Sequence, residues 1–255
     1  MKKVLIVLGG LLMVGALAVG CLWWCSRVSN PWDAKCVGDI PAPMGYERVG
    51  AEKGSYQEWM RELPLKPKGT KVMLYTGGEA NFQSLYTGVI DMPLLSNAEQ
   101  CADVTMRLRA EYLYRSGRWS EICFTDVDGK RRKYSGGHSR KALEKYLRKV
   151  YECCNTLSVS RETQPRKISE VKAGDVLVYP VRKVERMGHA LIVVDVARKG
   201  NKVAIMCAEG NTPARDIHLV RNPNVIRNPW FIFDGNESVL WISALHFGKD
   251  ELRHY

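Results

Sequence analysis

Two residues in this chain could do nucleophilic chemistry together, Cys101 and His189. The stretch Ser96-Asn97-Ala98-Glu99-Gln100-Cys101-Ala102-Asp103 has the Ser-x-x-Glu form of a capping box, and periodic residues follow through Arg109-Ala110-Glu111-Tyr112-Leu113. The spacing predicts a helix over 97–114 with Cys101 just inside its start. The positive end of a helix favours a thiolate over a thiol. Much later, Gly188-His189-Ala190-Leu191-Ile192-Val193-Val194-Asp195 opens an apolar strand with a histidine. A thiolate beside an imidazole is an activated nucleophile with its general base.

Other readings of the same residues stand beside this one. Free cysteines are usually buried and inert, so Cys101 could simply pack. His138, in Gly136-Gly137-His138-Ser139, is the rival base. It precedes a helix, whose start disfavours an imidazolium. His218 follows Asp216-Ile217 and reads as a structural brace. Asp103 lies two residues past Cys101, off its helical face, which makes it a poor direct partner. Arg107 and Glu111 are four apart and pair along the helix. Trp59 reads as core, with carbohydrate stacking as the alternative.

The elements that must position these groups are legible as patterns. Ser55-Tyr56-Gln57-Glu58 is a second capping box and opens a short helix that Pro64 stops. Strands are predicted over 71–76 and 84–91. Asp128-Gly129, between 121–127 and 130–135, signals a hairpin. Ser139 caps a helix with Leu143, Tyr146, Leu147, Val150 and Tyr151 on one face. The last third reads as strands over 175–179, 190–197 and 203–208, with shorter pieces near Trp230 and Leu240. Helices early and strands late predict an α+β domain, a helix carrying Cys101 packed on a mostly antiparallel sheet.

The N-terminus reads as an export segment. Met1-Lys2-Lys3 is basic, and residues 4–24 carry no charge. Ala18-Val19-Gly20-Cys21 ends in the small-residue-then-cysteine pattern of a lipidation site, which would make Cys21 the first residue of the mature chain. The alternative is an uncleaved anchor: residues 4–24 are long enough to span a bilayer, which needs about 20 residues, with Trp23 and Trp24 at the interface. Either way the expected organisation is a signal peptide or membrane anchor over 1–24, a tether over 25–43 and one domain over 44–255. The domain is expected outside the cytoplasm, in the cell envelope.

Composition narrows the partners. Of 255 residues, 45% are hydrophobic, enough for a sizeable core. Lys and Arg outnumber Asp and Glu by 38 to 27, for a formal charge of +11. The basic residues are scattered apart from Lys130-Arg131-Arg132-Lys133, and no nucleic-acid motif accompanies them. Nucleic acid is not an expected partner, and no cofactor is called for. With Cys21 and Cys101 set aside, Cys25, Cys36, Cys123, Cys153, Cys154 and Cys207 remain, and an oxidising envelope permits disulfides whose connectivity the sequence leaves open.

Two resemblances rest on these residues. Ile40-Pro41-Ala42-Pro43-x-Gly45-Tyr46, Glu58-Trp59-Met60-Arg61-x-Leu63-Pro64-Leu65-Lys66-Pro67, Gln100-Cys101-Ala102-Asp103, Arg107 to Tyr114, Gly188-His189-Ala190 and Asp216-Ile217-His218 resemble the motifs of a bacterial envelope family known only as a domain of unknown function. That resemblance covers nearly all of the mature chain and implies no activity. The wider one is to papain-like peptidases and amidases of the NlpC and CHAP types, which cut peptidoglycan peptides. It implies their fold, a peptide or peptidoglycan-like substrate, and a third polar residue on the strand after the histidine. Here that position falls to Glu209, with Asn211 as backup. A carboxylate there would accept the ring N–H of His189 and fix its tautomer. The Asp-Cys-Ser/Gly signature of NlpC-type enzymes is absent, Gln100 preceding the cysteine instead, and the Cys-to-His interval is long.

The expected mechanism is attack by Cys101 on an amide carbonyl, proton handling by His189 and orientation by Glu209. The Cys101 N–H is an oxyanion donor, and Gln100 or Gln83 could be a second. Two alternatives stay open: a non-catalytic envelope lipoprotein that binds peptide or glycan, and a metal site of Cys101, Cys207 and His189.

Overall fold

The computed structural model of the chain describes residues 33–180, 187–224 and 226–255. The export segment, Cys21 and Cys25 lie outside the described residues. In chain order the strands and helices are β1 (Glu47–Arg48), α1 (Tyr56–Arg61), β2 (Tyr86–Val89), α2 (Cys101–Arg115), β3 (Cys123–Thr125), β4 (Arg131–Lys133), α3 (Arg140–Cys153), α4 (Thr156–Glu162), β5 (Gln164–Pro165), β6 (Val176–Tyr179), β7 (His189–Lys199), β8 (Lys202–Glu209), β9 (His218–Val220), β10 (Trp230–Phe233), β11 (Val239–Ile242), β12 (Leu245–Gly248) and β13 (Leu252–His254). The architecture is α+β, built on one large antiparallel sheet.

Seven strands of that sheet run in the order β2-β9-β8-β7-β6-β13-β5, with β1 on the far half of β7 and β10 on the first half of β8. β7 and β8 form its spine. Their residues are almost all buried, and both read as near-continuous apolar runs because both faces are covered. One face packs against the helices, through Ile192, Val194, Ala204, Met206 and Ala208. The other packs against the β11–β12 hairpin, through Leu191, Val193, Ile205, Cys207 and Phe247. The register shifts between Val193 and Asp195. There the fully buried Asp195 carboxylate takes Arg48 Nε at 2.7 Å and Arg61 Nε at 2.8 Å, tying β1 and α1 to the bulge.

α2 is buried along most of its length, because it runs between the sheet and the remaining helices. Its buried Arg107 and Glu111 are paired. Arg107 donates to Glu99 Oε1 at 2.6 Å and to the Pro93 carbonyl at 2.9 Å. Glu111 lies 3.5 Å from Arg107 Nε, but its bidentate partner is Arg140 of α3, at 2.5 and 2.8 Å. The i,i+4 pairing expected from sequence is thus one link in a buried chain of charges between α2 and α3.

Several expectations shift. Ser96 and Glu99 do not cap α2. They form a turn in which Glu99 N–H reaches the Ser96 carbonyl and the Glu99 carboxylate accepts from Leu95 N–H at 2.7 Å. The N-cap is Gln100, whose N–H donates to Asp103 at 2.9 Å, so Cys101 is the first helical residue. The stretch 71–76 is not a strand: Met73 and Leu74 make single bridges to Glu79 and Arg215. Alternation there serves a loop packed on β2 through Val72. The segment 33–43, expected as part of a tether, packs into the domain, with Ala34, Val37 and Ile40 in the core. β1, α4, β5, β9, β12 and β13 have no counterpart in the sequence pattern. Ser55 and Ser139 cap α1 and α3 through Glu58 N–H at 3.1 Å and Ala142 N–H at 3.3 Å, in line with the sequence. No helix among the described residues is long and apolar enough to cross a membrane.

Candidate active site

Cys101, His189 and Glu209 come from three elements and meet at one end of the sheet. Cys101 opens α2, His189 opens β7 and Glu209 closes β8. The β7–β8 hairpin is tight at Lys199–Lys202, so its open end holds the start of one strand beside the end of the next. β9 returns alongside, with Glu209 opposite His218. α2 ends its approach at the same edge because Gly210 has no side chain: a Cβ there would lie 2.6 Å from Val104 Cγ2 and 3.2 Å from the Gln100 carbonyl oxygen.

The contacts within the cluster are specific. His189 Nε2 stands 2.6 Å from Glu209 Oε2. The Cys101 thiol and the His189 ring line the same cleft, and the thiol is near enough to raise the ring's hold on a proton. Nε2 is engaged by Glu209, and Nδ1 is the other ring nitrogen. Glu209 Oε1 receives His218 Nε2 at 3.2 Å. Burial alone would drive His189 toward neutrality, but the neighbouring Cys101 and Glu209 outweigh it and raise its pKa to about 10. Burial likewise works against the Glu209 charge, and the two histidines overcome it, holding its pKa at about 2. The raised value favours a protonated His189 beside the Glu209 carboxylate.

The remaining named residues sort themselves by contact. Asn211 lines the cleft, but its Oδ1 accepts from Thr212 N–H at 2.7 Å, and Glu209 rather than Asn211 meets His189. Gln83 is spent on the loop before β2, donating to the Val72 and Ala80 carbonyls at 2.8 and 2.9 Å. Gln100 Oε1 accepts from Thr212 Oγ1–H at 2.8 Å, so its amide nitrogen is the end left to donate. Asp103 is buried with one unpartnered oxygen, and burial pushes its pKa up to about 8. It caps the helix and does not reach the histidines by any hydrogen bond. His138 stacks between Tyr114 and Trp119, with ring centroids 5.7 and 5.5 Å away. Trp59 lies in the core beside Tyr56 and Tyr112.

Cys207 projects into the core on the second face of the sheet, where burial raises its thiol pKa strongly. Among the described residues no group of three or more His, Cys, Asp and Glu side chains is disposed to hold a metal ion. The cysteines described, Cys36, Cys101, Cys123, Cys153, Cys154 and Cys207, are all free thiols.

A cleft of about 350 Å³ opens over the cluster, lined by Cys101, His189 and Glu209 together with Leu85, Tyr179 and Leu245. Its rim is apolar and exposed at Leu85 and Met187. Ser243, in the β11–β12 turn that walls the cleft, has φ 54, and Phe82, which starts the turn carrying Leu85, has φ 60. Non-glycine residues held in left-handed backbone concentrate at ligand-binding edges. A larger hollow of about 550 Å³, near Arg166 and Lys249, contains no cysteine, histidine or serine.

No curated protein and no solved structure matches the chain. One family model does, over residues 38–138 and 133–254, which takes in the helix with Cys101, both buried histidines and Glu209. The chain belongs to the family DUF4846, domain of unknown function (4846).

Proposed function

We propose that this protein is a cysteine hydrolase of papain-like layout that cleaves amide bonds in peptides, cell-wall peptides among them, while tethered to the cell envelope. The observation that carries the reading is the gathering of Cys101, His189 and Glu209 in one cleft, with Glu209 at 2.6 Å on a His189 ring nitrogen. A cleft with a half-apolar lining gives the reacting carbonyl a place to sit.

The reaction divides into two halves. The Cys101 thiolate attacks the amide carbonyl carbon, and His189, holding the proton, passes it to the leaving nitrogen as the C–N bond breaks. The acyl group is left as a thioester on Cys101. His189, now neutral, takes a proton from water, whose oxygen attacks the thioester, and the sulfur leaves as the thiolate. Glu209 keeps the ring in the orientation both steps need. The Cys101 N–H, free of any carbonyl partner within the first turn of its helix, is the nearest oxyanion donor, with the Gln100 amide as the second.

The test is turnover of peptidoglycan fragments and of peptide amides with apolar side chains by wild-type chain and by Cys101→Ala. Hydrolysis that disappears in the variant is expected. Wild-type protein that binds such peptides without cleaving them would instead leave a binding protein of the envelope. The tether has its own test: Cys21→Ser abolishes lipid labelling if Cys21 is the lipidated residue, and leaves membrane fractionation unchanged if residues 4–24 are an anchor helix. Full-length protein recovered free in the cytosol would remove the envelope from the proposal.

A further inference from the structure

His218 approaches Glu209 from the side opposite His189. Its side chain is fully buried. Its Nδ1 lies 2.8 Å from the Asp216 carbonyl oxygen, and its Nε2 lies 3.2 Å from Glu209 Oε1. A carbonyl oxygen can only accept a hydrogen bond, and so can an ionised carboxylate. Both ring nitrogens must therefore carry hydrogen, and the ring that satisfies both contacts is an imidazolium.

The surroundings accommodate that charge. The Tyr86 ring packs against His218 with centroids 4.2 Å apart, offering its π system to a cation. The Arg215 guanidinium, 6.0 Å from the Tyr86 ring centroid, is turned to the Tyr86 hydroxyl and to the Pro213 and Thr212 carbonyls. The Asp216 carboxylate is held away by Lys66 at 2.9 Å and by Met73 N–H at 3.0 Å. Glu209 is thus the carboxylate hydrogen-bonded to both buried imidazoles.

We propose that His218 is a positioning residue of the site, an imidazolium that clamps Glu209 from behind and thereby governs how tightly His189 holds its proton. The inference rests on the reading of Cys101, His189 and Glu209 as one reacting group. With one oxygen pinned by His218, Glu209 cannot rotate away from His189. With a cation behind it, the carboxylate also attracts the His189 proton less strongly. That matters because His189 must give its proton up to a leaving amine. A carboxylate facing only His189 would make it too weak an acid.

Two measurements on the full chain decide this. Nitrogen-15 NMR reads ring protonation directly: at neutral pH both His218 nitrogens are expected to be protonated, and a bare ring nitrogen would overturn the clamp. The second is the pH profile of Cys101 alkylation by iodoacetamide in His218→Gln, which keeps an amide donor for Glu209 and loses the charge. Removing a buried cation makes every nearby proton bind more tightly, so the profile moves to higher pH by about one unit. A folded His218→Gln protein with an unmoved profile overturns the proposal, because a structural brace alone would lower stability without shifting titration. Should that variant not fold, the NMR result on the native chain stands by itself. A Cys101 no more reactive than a free thiol, alongside a doubly protonated His218, sinks the hydrolase reading and not the charge state of the clamp.

Discussion

Gly210 and Val104 are in contact that no side chain at position 210 could share, since a Cβ there would fall 2.6 Å from Val104 Cγ2. Gly210 follows Glu209, and Val104 is one turn along the helix from Cys101. The missing side chain sets how near the carboxylate end of the site comes to its thiol end.

Gly210→Ala is therefore expected to push β8 and α2 apart by several tenths of an ångström. Overpacking of this kind costs about 1–3 kcal/mol. Urea unfolding should register that loss, and Cys101 alkylation should slow in the folded variant. An alanine protein with native stability and native alkylation rate would mean that this contact does not fix the separation.

Thiol reactivity should rank the cysteines sharply. Burial raises the Cys207 thiol strongly, and burial together with Cys153 raises that of Cys154. Cys101 opens onto the cleft that His189 also lines. Iodoacetamide at about pH 6 should label Cys101 first, and His189→Ala should slow that labelling by roughly tenfold or more. Peptide mapping after brief exposure gives the order; equal labelling of Cys101 and Cys154 would count against an activated thiol.

Much of this site could be seen in the sequence, and the rest could not for identifiable reasons. Cys101 was marked by polar residues before a periodic run, and His189 by its isolation on an apolar strand. Glu209 needed the resemblance to papain-like enzymes, since a Glu at a strand end is otherwise unremarked. The start of α2 differs from the sequence pattern because Ser96 and Glu99 have capping chemistry but use it in a turn. In sequence His218 reads as a brace, because its link to Glu209 depends on β9 pairing with β8 across a loop, and such pairing leaves no periodic trace. Gly210 was passed over for the same reason. The order of sheet strands, with β13 inserted between β6 and β5, is likewise a long-range property.

Acid should weaken the fold through Glu209. Its pKa is held at about 2 from an ordinary 4.5, despite burial, by His189 and His218. A depressed carboxylate contributes stability above its unfolded pKa and loses it as pH falls toward the folded one. The contribution is a few kcal/mol, roughly 1.4 kcal/mol per unit, fading between about pH 4.5 and 2. Urea midpoints measured across that range should fall in the wild type and flatten in Glu209→Gln. A parallel fall in both would place the acid sensitivity elsewhere.

Asp103 works in the opposite sense. Burial raises its pKa from 3.8 to about 8, so the folded chain binds this proton more tightly than the unfolded chain does. Stability from this group is greatest below pH 3.8 and declines as pH rises toward 8. Asp103→Asn keeps an oxygen for the Gln100 N–H and removes the ionisation. At roughly 1.4 kcal/mol per unit, the variant should gain several kcal/mol over wild type at about pH 9 and little or nothing at about pH 4. Denaturation at the two pH values checks this, and a gain that is the same at both would rule out ionisation as its source.

The cleft draws its walls from positions as far apart as Leu85 and Leu245. Contacts between such distant stretches form late, after long loops have closed. A growing or half-folded chain therefore carries Cys101 as an ordinary thiol, without imidazole, carboxylate or walls. Competence arrives only when the last third of the sequence closes over the first, so onset of Cys101 reactivity would time the completion of folding.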